Sequence, residues 1–312
     1  MVNNVYLFGA GISAGTVPMV SGTADAVTEL IAELTSVLPY LGNDADDARA
    51  QALSARANLI IDFAKEFIEA TTNSEFQITQ DEWARKLLLY DEDKFHRLTE
   101  FLSIFYTWVQ RARPTCPRIL RWVEELIDLD TKRMPSHSAV LTWNYDWQLE
   151  AAMNKVRTGR DELDPNPIGA GFYRKSDMKL QEKQIEKQEG FKVFKLNGDA
   201  FWSHPVLSGH SEKTIGHASP NLSTAEFWTE LINGLNHLNS TRELTCGISF
   251  AFHWSEQTDK LFKTIGASIR TARNLIVAGY SFPQANQERD SLILSSMPDL
   301  SNIEIYNLAE NE

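Results

Sequence analysis

Short apolar runs that end at glycine or polar residues recur along the chain, and they alternate with longer segments whose apolar residues repeat at helical spacing. Such runs predict buried strands at Val5–Phe8, Ala139–Thr142, Phe191–Leu196, Leu244–Phe252, Asn274–Ala278 and Ile303–Tyr306. Strands that alternate with helices favour a parallel sheet with helices on both faces. We therefore predict an α/β fold with a Rossmann-like, doubly wound, mainly parallel sheet, whose binding crevice lies at the carboxyl ends of the strands.

The segment between the first two predicted strands contains almost no strand pattern. Its apolar residues recur at helical spacing, and about five helices are predicted between Thr23 and Leu129. The chain is therefore predicted to be one domain over residues 1–312, with a large helical insertion at about 23–135.

A second region also lacks a strand pattern. A loop rich in Gly, Pro and Asp is predicted at 158–176, and a charged helical tract follows at 176–189. Together they predict an insertion of loop and helix at about 158–190. A further loop, predicted at 203–223, contains His204, His210 and His217. Their spacing does not fit metal ligands on one helix face, so no metal site is predicted.

Composition excludes several classes of protein. The chain has 312 residues and a formal net charge of -12, which argues against direct binding to nucleic acid, because that affinity rests largely on Lys and Arg. No apolar run approaches the ~18 residues of a membrane span, so we expect a soluble, cytoplasmic protein that does not bind membranes. Cys116 and Cys246 are far apart and are predicted to be reduced residues of the core.

The first strand runs directly into a glycine-rich turn. Gly9 and Gly11 follow Phe8, and Ser13 adds a hydroxyl group. A strand, closely spaced glycines and a following helix are how α/β proteins present backbone N–H groups to a diphosphate. Ala14 stands where the third glycine of the dinucleotide fingerprint belongs, so a simple glycine-rich turn after an edge strand stays an alternative.

Glycine or polar residues also follow the later strands. Asn144 and Asp146 follow the second predicted strand, Asn197 follows the third, and Gly279 and Asn307 follow the last two. Because the carboxyl ends of parallel strands share one edge of a sheet, we expect these residues to lie near one another. Asp146 has an alternative role as the N-cap of the next helix, which is worth roughly 1 kcal/mol.

In their order along the chain, these strand ends resemble the sirtuin superfamily, and more closely its bacterial branch of Sir2-like NAD-consuming domains from anti-phage defence proteins. The resemblance covers the whole chain apart from the helical insertion. The matching segments are Gly9-Ala10-Gly11-Ile12-Ser13, Thr142-Trp143-Asn144-Tyr145-Asp146, Lys195-Leu196-Asn197-Gly198 with Trp202 after it, Gly279-Tyr280-Ser281-Phe282-Pro283, and Asn307.

The resemblance implies a site for NAD, as a substrate and without a metal. In the family, the glycine turn contacts the diphosphate, the Asn and Asp after the second strand hold the nicotinamide ribose and amide, and the last two segments lie near the adenosine. The implied binding residues are Gly9, Ala10, Gly11, Ser13, Thr142, Gly198, Gly279, Ser281 and Asn307. The implied catalytic residues are Asn144, Asp146 and Asn197.

Two departures from the family pattern bear on activity. Asn197 stands where the family usually has a histidine that accepts a proton from a ribose hydroxyl, and an asparagine cannot titrate. Three explanations stay open: a natural variant that uses Asn144, Asp146 or Asp199, a catalytically weak enzyme, or a substitution introduced to disable the site. The second departure, Thr16-Val17-Pro18 without Asp-Phe-Arg or a zinc ribbon, disfavours a peptide deacylase.

The activity that the resemblance implies is hydrolysis of NAD to nicotinamide and ADP-ribose, as an effector of anti-phage defence. The resemblance also implies control by a homo-oligomer or by a defence partner, such as a helicase-like ATPase or an Argonaute-type protein. The alternative function is a non-catalytic structural subunit that binds NAD or ADP-ribose within a defence complex. The asparagine at position 197 favours this alternative.

Overall fold

The computed structural model describes most of the chain, as two compact units. The described residues are 1–19, 22–41, 47–72, 79–128, 130–159, 170–174, 190–198, 200, 222–240 and 247–307. One unit, here the sheet unit, comprises Met1–Val17, Arg113–Asp199 and Ser249–Glu312. The other, here the helical unit, comprises Pro18–Ala112 and Ala200–Ile248.

The described strands form one sheet in the sheet unit. They are β1 (Asn4–Phe8), β2 (Ser138–Thr142), β3 (Ala170–Arg174), β4 (Phe191–Lys195), β5 (Asn274–Ala278) and β6 (Asn302–Tyr306). Their order is β3-β4-β2-β1-β5-β6, and every neighbouring pair is parallel. β1 therefore lies between β2 and β5, and the prediction of an α/β fold with a parallel sheet is confirmed.

Helices make up most of the rest of the described structure. They are α1 (Thr23–Val37), α2 (Asp47–Thr72), α3 (Gln80–Tyr90), α4 (Glu92–Ala112), α5 (Pro117–Leu126), α6 (Gln148–Thr158), α7 (Thr224–Ser240), α8 (Glu256–Ile269) and α9 (Gln287–Ser295). The first five lie between β1 and β2, which confirms the predicted helical region there. Within the described ranges, none of these helices has the length and apolar character needed to cross a membrane.

Helices cover both faces of the sheet. Side chains of β1 alternate between two cores, so that Val5 and Leu7 face α8 and α9, whereas Tyr6 and Phe8 face α5 and α6. This alternation follows from the period of two residues in a β-strand. The sheet is therefore doubly wound, as the sequence predicts.

The helical unit contains α1 to α4 and α7. α3 begins after Thr79, whose side chain accepts a hydrogen bond from the Glu82 amide while the Glu82 carboxylate accepts one from the Thr79 amide. This reciprocal capping box satisfies two amides at the helix start. The apolar stripe of α4 packs into a core, where the Phe101 ring lies 5.7 Å from that of Phe63 and 5.3 Å from that of Phe67.

β6 forms one edge of the sheet, and its side chains are exposed. Ile303 and Ile305, which share a face, are 52% and 57% exposed. Glu304 lies between them in sequence and accepts hydrogen bonds from Asn302 Nδ2 at 2.9 Å and from the Tyr306 hydroxyl at 2.7 Å. The middle of this edge therefore carries an anchored carboxylate.

One stretch that the sequence predicts to be loop contains a strand. Residues 170–174 form β3, which pairs in parallel with β4. The prediction is wrong there because only two large apolar residues, Phe172 and Tyr173, stand among small and polar neighbours. These two side chains are buried in the two different cores, which is typical of a strand with both faces covered.

The strand predicted at Leu244–Phe252 is also wrong over its described part. Residues 247–252 form turns and irregular structure. The Phe250 ring lies 6.3 Å from the ring of Tyr145 and 5.3 Å from that of Phe252. The apolar run therefore reflects aromatic packing of a buried loop.

Several predictions fall on residues outside the described ranges. They concern the charged tract at 176–189, most of the loop at 203–223 with His204, His210 and His217, and the single residues Asp199, Trp202 and Cys246. Cys116 is described, and it is a buried free cysteine.

The turn after β1 and the turn after β5 touch each other at glycines. A Cβ atom on Gly279 would lie 2.1 Å from the Ile12 nitrogen and 2.4 Å from the Gly11 carbonyl carbon, so no side chain fits there. Gly279 also has φ +62°, in the left-handed region that favours glycine. Gly159, after α6, has φ +72°, but its Cβ position has no neighbour within 4 Å among the described residues, apart from its own helix and the adjoining residues.

These two glycines give a matched test of the contact. We expect Gly279→Ala to lower the free energy of unfolding by about 3 kcal/mol or more, because a backbone clash adds to the cost of the left-handed conformation. Gly159→Ala should lose only about 1 kcal/mol, since it has the conformational cost alone. Denaturant unfolding of the parent and both variants measures the difference, and equal losses would contradict the close contact.

Candidate functional site at the carboxyl edge of the sheet

The predicted site residues follow the carboxyl ends of five strands. Main-chain hydrogen bonds join these ends: the amide of Trp143 donates to the last carbonyl of β1 at 3.0 Å, that of Leu196 to the last carbonyl of β2 at 2.9 Å, and that of Gly279 to the last carbonyl of β6 at 2.8 Å. β2 follows β1 on one side, whereas β5 lies on the other side, so the strand order reverses beside β1. Open α/β sheets bind ligands at such a reversal.

The glycine turn is held by main-chain bonds. The amides of Gly9 and Gly11 donate to Ala278 O at 3.1 Å and Gly279 O at 2.9 Å, and the Ile12 amide donates to Gly9 O at 3.1 Å. A Cβ atom on Gly9 or Gly11 would lie 2.6 or 2.8 Å from an atom of Gly279. Contact between the two turns therefore accounts for both glycines, whereas their contact with a diphosphate stays a prediction.

Arg118 on α5 supports the same turn. Its guanidinium group donates to Gly11 O and to Ala14 O, each at 3.0 Å. Arg118 was not among the predicted site residues, because an arginine in the first turn of a helix is usually solvated. Only the tertiary fold brings α5 to the turn after β1.

Ser13, Asn144 and Asp146 form a buried hydrogen-bonded group, here the polar cluster. The Ser13 hydroxyl donates to Asp146 Oδ2 at 3.0 Å and lies 3.3 Å from Ala10 O. Asn144 Nδ2 donates to Ser13 Oγ at 3.3 Å, and the Asn144 amide donates to Thr142 Oγ1 at 3.1 Å. The structure thus brings together predicted residues from the ends of β1 and β2.

The Asp146 carboxyl group is held from several directions. Its Oδ1 accepts from the Gln148 amide at 3.1 Å, at the start of α6. The N-cap of α6 is Trp147, so the alternative role of Asp146 as the N-cap is wrong, and Asp146 binds this helix-start amide from one position before the cap. Burial raises the pKa of Asp146, while the Lys195 ammonium, the Gln148 amide and the Ser13 hydroxyl act in the opposite direction by stabilising the ionised form.

Lys195 and Glu150 form a buried ion pair beneath the polar cluster. Lys195 Nζ lies 3.1 Å from Glu150 Oε1, and each side chain is only 1% exposed. The same ammonium donates to the main-chain carbonyl of Asp146 at 2.5 Å. Lys195 entered the sequence prediction only as part of a matching segment, and Glu150, an acidic residue in the first turn of α6, was not predicted.

Asn197 follows β4 in a tight turn. The Gly198 amide donates to Lys195 O at 3.2 Å, and Gly198 has φ +74°. The Asn197 carbonyl accepts from the Ser249 amide at 2.8 Å. The Asn197 side chain is buried, and its Oδ1 has no hydrogen-bond partner within the described part of the chain. A buried acceptor is therefore available to a ligand hydroxyl or to water.

The remaining predicted residues lie apart from the polar cluster. Ser281 and Asn307 are exposed after β5 and β6. Ala10 is also exposed, and among the described contacts it approaches the cluster through its carbonyl oxygen. The geometry therefore unites the candidates after β1 and β2, brings Gly279 against the turn after β1, and leaves Ser281 and Asn307 exposed.

Another buried carboxyl group, that of Asp290 on α9, contacts the turn after β5. The Tyr280 hydroxyl donates to Asp290 Oδ2 at 2.7 Å and accepts from Asn286 Nδ2 at 2.9 Å. The Tyr280 ring stacks on that of Trp143, with 6.0 Å between the centroids. Burial raises the pKa of Asp290 to about 6, against the opposing effect of the bond from Tyr280. The sequence carried no signal for this network.

No three His, Cys, Asp or Glu side chains within the described ranges lie together so that they could hold a metal ion. Comparison of the chain with models of known protein families finds no match, and comparison with curated proteins finds none at a significant level.

The raised pKa of Asp290 predicts a pH-dependent contribution to stability. Between about pH 4 and 6 the folded protein holds a proton that the unfolded chain releases, so this contribution to stability is lost as pH rises through about 6. Asp290→Asn keeps the shape without titrating. We expect the melting temperature of the parent to fall more than that of the variant between about pH 4 and 7. The same pH dependence in both proteins would contradict the assignment.

Proposed function

We propose that the chain binds NAD at the carboxyl edge of its sheet and hydrolyses the bond between nicotinamide and ribose. The observation that carries this proposal is the polar cluster, a buried Ser-Asn-Asp group beside the reversal of strand order. Buried, convergent polar groups at this place in an α/β sheet are typical of a ligand site. The choice of NAD as the substrate rests on the resemblance of the strand ends to Sir2-like domains.

The reaction requires stabilisation of positive charge on the ribose. As the bond from C1′ to the nicotinamide nitrogen breaks, its electron pair goes to nicotinamide, and the ribose becomes an oxocarbenium-like cation. Water then bonds to C1′ and loses a proton, which gives ADP-ribose. A carboxylate fixed before the reaction stabilises such a cation without reorganising, and the contacts with Ser13 and the Gln148 amide fix Asp146 in this way.

The two asparagines have orienting roles in this mechanism. The amide of Asn144 contacts Ser13 and can direct a ribose hydroxyl or the attacking water. Asn197 Oδ1 can accept a hydrogen bond from a hydroxyl but cannot remove its proton. Among Ser13, Asn144, Asp146 and Asn197, the aspartate is the group that can accept a proton as a carboxylate, so we assign it any proton transfer from water.

The main-chain hydrogen bonds of the glycine turn restrict how it can bind a diphosphate. The Gly9, Gly11 and Ile12 amides donate to main-chain carbonyls, so a diphosphate beside this turn would have to displace those bonds or contact other groups.

Following the resemblance, we also propose that depletion of NAD serves anti-phage defence. A homo-oligomer or a partner, either a helicase-like ATPase or an Argonaute-type protein, would then control the activity.

Chromatography of nicotinamide and ADP-ribose after incubation with NAD tests the mechanism. We expect the parent to release both products, and Asn144→Ala to lower kcat by about 100-fold or more, because an orienting group of the transition state is lost. Asn58→Ala, an exposed asparagine on α2, is the matched control and should keep the parental rate. An Asn144→Ala variant as fast as the parent would sink the assigned mechanism.

The role of Asn197 needs a second comparison, with Asn197→His. Turnover by the parent would mean that a histidine is dispensable, and we then expect the variant to differ from it by less than about tenfold. A silent parent that Asn197→His converts to an NAD hydrolase would identify the chain as a disabled enzyme. If both are silent but calorimetry detects NAD or ADP-ribose binding, the non-catalytic subunit is the correct function. Absence of both turnover and binding would overturn the proposed site.

A further inference from the structure

We infer that the buried Lys195–Glu150 pair is a positioning device for Asp146, with Lys195 fixing the main chain of the β2–α6 turn and Glu150 holding the Lys195 ammonium in place. This inference rests on the proposed function, in which the Asp146 carboxylate faces the reacting ribose. Neither residue touches the substrate in this account. Both act through the position and the charge state of Asp146.

The geometry fixes Asp146 from three separate elements. The ammonium of Lys195, at the end of β4, donates to the Asp146 carbonyl oxygen. The Ser13 hydroxyl, from the turn after β1, and the Gln148 amide, at the start of α6, donate to the two carboxylate oxygens. Lys195 therefore holds the backbone of the residue whose side chain the other two groups hold.

Stability alone does not explain a lysine at this place. A buried ion pair contributes little net stability, because removing two charges from water offsets their attraction, and apolar residues of similar volume often do as well. An apolar side chain cannot donate a hydrogen bond to the Asp146 carbonyl. Lys195 therefore makes one contact that an apolar residue could not make, the hydrogen bond to the main chain of Asp146, the proposed catalytic residue.

The pair also acts on the charge of Asp146. Burial raises the pKa of this carboxyl group, and the Lys195 ammonium counteracts the effect by favouring the ionised form. The groups described around Asp146 are Lys195 from β4, Ser13 from the turn after β1, and Gln148 and Glu150 from α6. Loss of the ammonium therefore shifts Asp146 toward its protonated form, which cannot stabilise a cation.

The decisive variant removes both charges, Lys195→Met with Glu150→Met. A single substitution would leave the other member of the pair as an unpaired buried charge and could prevent folding, whereas the double substitution removes both members. We expect kcat to fall by about 10- to 100-fold with KM within about threefold of the parent, as for other supporting groups of a reactive centre. The acid limb of the pH profile of kcat should move to higher pH. Arg56→Met with Glu100→Met, an ion pair of the helical unit, is the control and should keep the parental kcat and profile.

A measurement that needs no turnover separates this inference from the proposed function. Carbon-13 NMR of protein labelled at aspartate carboxyl groups, with the Asp146 signal assigned by its loss in Asp146→Asn, follows the titration directly. We expect the Asp146 pKa to be higher in the Lys195→Met, Glu150→Met variant than in the parent. A parent that releases no nicotinamide would refute the proposed function, and the titration would still decide the effect of the pair. Parental titration in the double variant, or parental kcat and pH profile in an active protein, would overturn the inference.

Discussion

The sheet unit depends on the close contact between the turns after β1 and β5. No side chain fits between these backbones, and the Gly11 amide bonds directly to the carbonyl of Gly279. The contact fixes where β1 ends relative to β5, and it thereby sets the position of Ser13, which reaches Asp146 across the sheet edge. The contact between the two turns therefore requires glycine at positions 11 and 279 whether or not a ligand binds there. The position of the polar cluster depends on this contact.

Burial gives the carboxyl edge its electrostatic character. Asp146, Lys195 and Glu150 lie in the interior, where an unpaired charge would cost several kcal/mol. Each is held by a hydrogen bond or an ion pair, which restricts its position. The neutral partners in the same region, Ser13 and Asn144, can orient groups without adding charge. A carboxyl group that contacts neutral polar side chains is a simple basis for acid–base behaviour.

The sequence predicted those parts of the molecule that depend on local pattern. β1 and β5 are apolar runs that stop at glycine, and the meeting of Ser13 with Asp146 follows once parallel strands share an edge. β3 was not predicted, because its own composition has little strand pattern and its conformation depends on pairing with β4. Glu150 was missed for a related reason. A charged helical residue is usually solvated, and only the pairing of Thr142 with Lys195 brings an ammonium to it.

The exposed edge of the sheet has a consequence for how copies of this chain can meet. An edge strand offers unpaired main-chain groups to any neighbouring strand, and apolar side chains such as Ile303 and Ile305 would strengthen such pairing. Glu304 is tied in place by Asn302 and Tyr306. Two copies that paired antiparallel about this residue would oppose their carboxylates directly. The edge thus disfavours its own symmetric extension into a larger sheet.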